Sequence, residues 1–173
     1  MVFIKNQLVK VEFIIRQFMV ILMVIAIFFI SACSEKDNID HFSSKEETLE
    51  HFVQNENIKG NIDLITTTND VSLLVIQSSG NTYFVGELVE DKEGYYAKRI
   101  SANVEMTTIG ASWELNTMDK NEYTIFFEKN IEDANYIQFS NGEYDISLVE
   151  GHTISENTFA LTSAIKEVET VKD

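Results

Sequence analysis

The side chains in this chain that could do chemistry are one cysteine, three histidines and a large excess of carboxylates, 28 Asp and Glu in 173 residues. Cys33 is the only thiol, so no intrachain disulfide can form, and any thiol nucleophile would have to be this residue. His41, His51 and His152 have neither the HExxH nor the HxH spacing that places two imidazoles on one metal ion. Gly110-Ala111-Ser112-Trp113-Glu114 begins like a nucleophile elbow, but Glu114 stands where the final glycine belongs, and the surroundings read as strand rather than strand-turn-helix. Asp91-Lys92-Glu93-Gly94 lacks the alternating oxygen ligands of a calcium loop and is better taken as a turn. No glycine-rich phosphate loop is present. Carboxylate pairs are so frequent that a glycosidase-like pair cannot be picked out without a three-dimensional separation. No metal and no cofactor is expected.

The context of Cys33 is more specific. Lys5, Lys10 and Arg16 stand against the single acid Glu12, and the uncharged, almost wholly apolar run Phe18 to Ile30 follows. That is the charge and length pattern of an export signal, and it is short of the about 20 residues a transmembrane helix needs. The run ends in Ile30-Ser31-Ala32-Cys33, which resembles the lipobox of bacterial lipoproteins. The resemblance implies diacylglyceryl transfer to the Cys33 thiol and cleavage between Ala32 and Cys33. It implies a cell-membrane location on the extracytoplasmic face and removes Cys33 from catalysis. Two or more acyl chains anchor stably where one of about 14 carbons binds only marginally.

Cleavage would remove three of the 13 bases and one of the 28 acids, leaving 10 against 27, a formal charge of −17. Such a surface does not attract nucleic acid or an anionic lipid face. The remaining 141 residues suit one domain with a core of its own. The expected organisation is a signal peptide over 1–32, a lipidated tether over 33–42 and one acidic globular domain over 43–173.

Within the tether, Ser34 to His41 has too little apolar surface to pack. Ser43 with Glu46 and Ser44 with Glu47 offer two overlapping capping boxes, and Leu49, Phe52 and Val53 form one apolar stripe. These predict a short amphipathic helix ending between Asn55 and Gly60. From Asn61 the hydrophobic period drops from 3.6 to 2, predicting strands at Asn61–Thr66, Val71–Gln77, Thr82–Glu90, Tyr95–Val104, Ala111–Asn116, Tyr123–Glu128, Asn135–Ser140, Tyr144–Val149 and Thr158–Ile165. Turn residues separate them, and the short connections require antiparallel pairing. Val71 to Ile76 is apolar on both faces, as a strand covered on each side would be. Asn141-Gly142 predicts a two-residue type I′ hairpin.

The expected fold is therefore α+β and mostly β, one N-terminal amphipathic helix packed on an antiparallel sheet or on a two-sheet sandwich of about eight or nine strands. Glu46-Glu47-Thr48-Leu49-Glu50, Tyr83–Leu88, Gly94–Ile100, Trp113–Leu115 and Tyr123–Phe127 also resemble small lipoproteins of Bacillus-type Firmicutes, a likeness that implies the location and no activity. Most aromatic residues on these strands must be core. A subset aligned on an exposed face would make a glycan or peptide platform, for which Tyr95, Trp113 and Tyr123 are the candidates.

The function that fits best is a membrane-anchored, non-enzymatic binding or accessory domain for a protein or cell-wall component. A cell-wall hydrolase or an inhibitor of one is the alternative. A two-lobed solute receptor needs far more chain. An exposed apolar patch would favour the binder, and a deep cleft holding carboxylates of shifted pKa the enzyme.

Overall fold

The computed structural model describes residues 39–154 and 162–172. The expected signal peptide (1–32) and Cys33 lie outside the described residues. The described residues are mostly β, with one helix, α1 (Lys45–Asn55), followed by ten strands: β1 (Ile62–Thr67), β2 (Ser72–Ser79), β3 (Thr82–Glu90), β4 (Tyr95–Arg99), β5 (Val104–Glu105), β6 (Gly110–Asn116), β7 (Glu122–Glu128), β8 (Ile137–Gln138), β9 (Asp145–Glu150) and β10 (Ile165–Lys172). They form two antiparallel sheets, β10-β1-β2-β3-β4 with β5 beside β3, and β6-β7-β9-β8.

Helix α1 starts where its capping residues direct. Ser44 is the N-cap, its hydroxyl accepting from the Glu47 amide at 3.2 Å, while the Glu47 carboxylate reaches back to the Ser43 amide and hydroxyl at 3.3 and 3.0 Å. It stops in a Schellman motif. Asn57 takes the left-handed position (φ 51°), the Asn57 and Ile58 amides return to the Gln54 and Val53 carbonyls, and Ile58 is buried beside Val53.

Strands β1 to β3 bury both faces. Leu74, Ile76, Phe84 and Leu88 meet Leu49 and Phe52 of α1, while Leu73, Val75, Tyr83 and Val85 point the other way into the second sheet. The layers are thus helix, first sheet, second sheet. Gly86 lets the helix approach closely, since a Cβ there would lie 3.0 Å from Phe52 Cζ. Between the sheets, Phe127 is ringed by Tyr83, Trp113, Phe139 and Tyr144 at centroid distances of 5.2 to 6.4 Å. Burying each such ring contributes about 1.5 to 3 kcal/mol.

Five expectations of the fold change, the first being that Asn135–Ser140 is strand only over β8. The strand expected over Tyr95–Val104 breaks after Arg99, because the Ile100 and Ser101 amides both bond the Val85 carbonyl and the Ser101 hydroxyl accepts from the Val85 amide. Two residues face one, and the chain turns so that β5 pairs with the other half of β3.

The strand expected over Thr158–Ile165 is not formed at 162–164, and the last described strand is β10. Positions 158–161 lie outside the described residues, and the strand starts at Ile165. Its pairing with β1 skips Lys166 and Val171. The skip at Lys166 brings Ile165 and Val168 to the same inter-sheet face although they are three residues apart, and Val171 faces the helix.

The packed chain begins earlier than the expected start at 43. The folded unit begins at Asp40, and Phe42 exchanges both backbone hydrogen bonds with Tyr95 at 2.8 and 2.9 Å. Two backbone bonds and the contact of Phe42 with His51 hold this segment despite its polar composition.

The hairpin at Asn141-Gly142 is longer than two residues. The Phe139 amide bonds the Tyr144 carbonyl and the Gly142 amide bonds the Phe139 carbonyl, so only Gly142 (φ 71°) is left-handed. A Cβ at Gly142 meets nothing within 4 Å, leaving backbone strain as the whole penalty. Gly142→Val should lower stability by about 1 to 2 kcal/mol in urea denaturation, and an unchanged midpoint would show that this φ is not held in solution.

Candidate functional site

The helix covers only part of the outer face of the first sheet. Phe52 lies over Gly86 and Phe84, and the next row across the strands, Glu167, Thr66, Ser72, Leu88 and Ala97 in register, extends past the helix start. A cavity of about 330 Å³ opens here, floored by Leu64, Thr66, Ser72 and Leu88 and rimmed by Glu90, Tyr95, Glu167, Glu169 and Lys45. A second groove of about 380 Å³ runs between α1 and β10, lined by Glu46, Leu49, Glu50, Val53 and Val171 among others. The Lys45–Glu169 ion pair, Nζ to Oε2 at 2.6 Å, lies in the wall the two share. Both side chains are solvated, so the pair adds at most about 1 kcal/mol.

Tyr95 joins this cavity to the start of the folded unit. Its backbone holds Phe42, and its hydroxyl donates to Glu90, which together with Glu46 raises its pKa above the ordinary phenol value. On the adjoining turn, His41 Nε2 lies 3.1 Å from Asp91 Oδ2 and its Nδ1 lies 3.7 Å from Glu93 Oε2. The Asp91 carboxyl is pulled below its usual value, first by the Glu93 amide and then by His41. These groups attract cations and accept hydrogen bonds. Among the described residues no three His, Cys, Asp or Glu side chains converge as a metal site.

The aromatic platform does not form. Tyr123 is fully buried with its hydroxyl 3.3 Å from Thr67 Oγ1, Trp113 stacks on Phe127 at 5.2 Å, and Tyr95 belongs to the other sheet. Strand parity is the reason, since positions 111, 113 and 115 of β6 and 123, 125 and 127 of β7 all face inward. Of the three, Tyr95 lines the first-sheet cavity. The histidines are dispersed: His41 on the Asp91 turn, His51 on α1 and His152 on the loop after β9, with Nδ1 3.8 Å from Glu114 Oε2. Ser112 is an exposed residue of a regular strand.

Two carboxylates that sequence reasoning did not single out are buried between the sheets. Glu87 accepts the Met118 amide at 2.6 Å, and Asp63 accepts the Ser140 amide at 2.8 Å. Each side chain of the first sheet thereby holds a turn of the second. The signal that could have found them is an acid at an inward position of an otherwise apolar strand, between Val85 and Val89 and between Ile62 and Ile65. Burial raises the Glu87 pKa, with a smaller push from Asp119 and opposition from the Met118 hydrogen bond.

A raised carboxyl pKa in the fold means that protonation favours folding. Its contribution is complete below the unfolded pKa and is lost as pH rises through the folded one. Glu87→Gln keeps an acceptor for Met118 and carries no charge, so relative to wild type it should be more stable at pH 7 than at pH 4. Denaturant unfolding at both pH values checks this, and a difference that is constant or reversed would show that the charged carboxylate is the favoured form. No family model, curated protein or solved structure matches this chain.

Proposed function

We propose that this chain is a lipoprotein held on the extracytoplasmic face of the cell membrane through Cys33, and that its acidic two-sheet domain is a binding or accessory module for a protein or cell-wall component rather than an enzyme. The observation that carries the reading is the succession Phe18 to Ile30, then Ile30-Ser31-Ala32-Cys33, then a folded unit beginning at Asp40. Residues 34–39 could span at most about 20 Å fully extended, which keeps the domain close to its anchor.

The cavity near Tyr95 supports the same reading. Its rim carries carboxylates beside one ammonium, and it lies on the side of the domain where Phe42 joins it. Glu87 and Asp63 are engaged with backbone amides of the opposite sheet, so they serve the fold. Binding and orientation are what such a surface does well.

Cys33→Ala should abolish incorporation of labelled fatty acid and leave the precursor at full length, read by metabolic labelling and mobility shift. A variant still cut after Ala32 and still labelled would refute the anchor. For the second half of the reading, photo-crosslinking from the domain surface in intact cells should capture a discrete partner that Cys33→Ala reduces.

A further inference from the structure

Every open sheet has edges, and an edge strand presents unpaired backbone groups unless something blunts it. In the first sheet, β10 carries two bulges together with Lys166 and Lys172, and β4 is bridged at Tyr95 by Phe42. In the second sheet, β8 has two residues, and the amide of Ala164 occupies the Leu148 carbonyl on the strand behind it. The remaining edge is different. Strand β6 runs for seven residues in unbroken register with β7 and contains no proline, lysine or bulge.

The direction of its free groups follows from the turn. Thr117 donates its amide to the Asn121 carbonyl, making 117 and 121 a bonded pair. By antiparallel alternation, Ala111, Trp113 and Leu115 bond β7, and Ser112, Glu114 and Asn116 aim their amides and carbonyls away from the sheet. Among the described residues no strand pairs with that side. The side chains of Ser112, Glu114 and Asn116 are exposed, and Ile109, 80% exposed, stands at the leading end.

We propose that β6 is a docking edge that accepts an extended, lysine- or arginine-bearing segment of a partner polypeptide as an added strand of the second sheet. Backbone hydrogen bonds would give the attachment, and charge selects the occupant. A cationic side chain on the incoming strand lies beside Glu114, with Glu122 and Glu128 on the neighbouring strand. A second copy of this chain is the disfavoured occupant, because it brings the same acids and a net charge of −15 of its own. The inference rests on the binding-module reading and names the place and the partner's chemistry.

The test uses the full chain in zwitterionic phosphatidylcholine nanodiscs and a synthetic nonapeptide alternating lysine with valine and threonine. The expected result is saturable amide shifts confined to residues 110–116, with the Ser112, Glu114 and Asn116 amides gaining protection from hydrogen exchange. The same peptide N-methylated at alternate residues keeps its charge but loses its strand hydrogen bonds, and should bind at least about tenfold more weakly. Glu114→Lys should weaken the unmodified peptide by about tenfold. Equal binding of both peptides, shifts centred on the first-sheet cavity, or dimerisation through β6 without peptide would each overturn the proposal. In cells, Ser112→Pro removes only an outward amide and should lose the crosslinked partner, with Glu114→Lys as the second variant should the first misfold. A captured partner that neither substitution affects sinks the edge and leaves the binding module standing, whereas an anchored protein that captures nothing from any face sinks the module itself.

Discussion

Everything in this fold depends on the first sheet being buried on both sides. Leu73, Leu74, Val75 and Ile76 are fully buried in consecutive positions of one strand, which neither a lone helix nor a lone second sheet could satisfy. The helix covers Leu74 and Ile76, and the second sheet covers Leu73 and Val75. Removing either layer would leave a continuous apolar face in water, at about 25 cal/mol for each Å² exposed. The same requirement explains why β10 returns to pair with β1. Only then are the neighbours of Leu64 and Ile65 complete on both sides of the strand.

Hydrophobic burial is non-directional and does not by itself set how two sheets align. The two buried carboxylates do. Glu87 and Asp63 each receive an amide from a turn of the second sheet, and breaking either bond would strand a carboxylate in the interior, a penalty of about 1 to 3 kcal/mol or more. At the Asp63 end, Asp63 Oδ1 and Ser140 Oγ are buried without a hydrogen-bond partner among the described residues, so this clamp is the less fully satisfied of the two. Ala164 adds a third link, its amide on Leu148 of the second sheet and its carbonyl on Thr68 beside the first. Acidity, which at the surface keeps copies apart, thus also has a structural use inside.

Much of this was legible in the residues. Ser44 and Glu47 marked the helix start, the switch of period at Asn61 marked the sheets, and the two-sided apolar run of β2 marked a central strand. What escaped did so for local reasons. Ile165, Val168 and Val171 recur every third residue, a pattern alternation discards, and only the skipped register restores it. The bend at Ser101 depends on its hydroxyl meeting the Val85 amide, sixteen residues away in sequence. Phe42 packs because Tyr95 offers a free backbone edge, which the composition of its own segment does not announce. Tyr123 reads as well exposed as buried until its parity with Ile125 and Phe127 is fixed by a partner sheet. The open edge at β6 is likewise a property of strand order, and strand order is set by contacts between residues far apart in the chain.

The two sheets are clipped together by two buried carboxylates and, among the described residues, β6 leaves one long edge unpaired. Residue-resolved amide hydrogen exchange tests that most directly. Slow exchange should extend through β1, β2, β3 and β7 and include the turn amides of Met118 and Ser140, while Ser112, Glu114 and Asn116 exchange fastest among strand amides. Rapid exchange at Met118 and Ser140, or protection along the outer edge of β6, would contradict it.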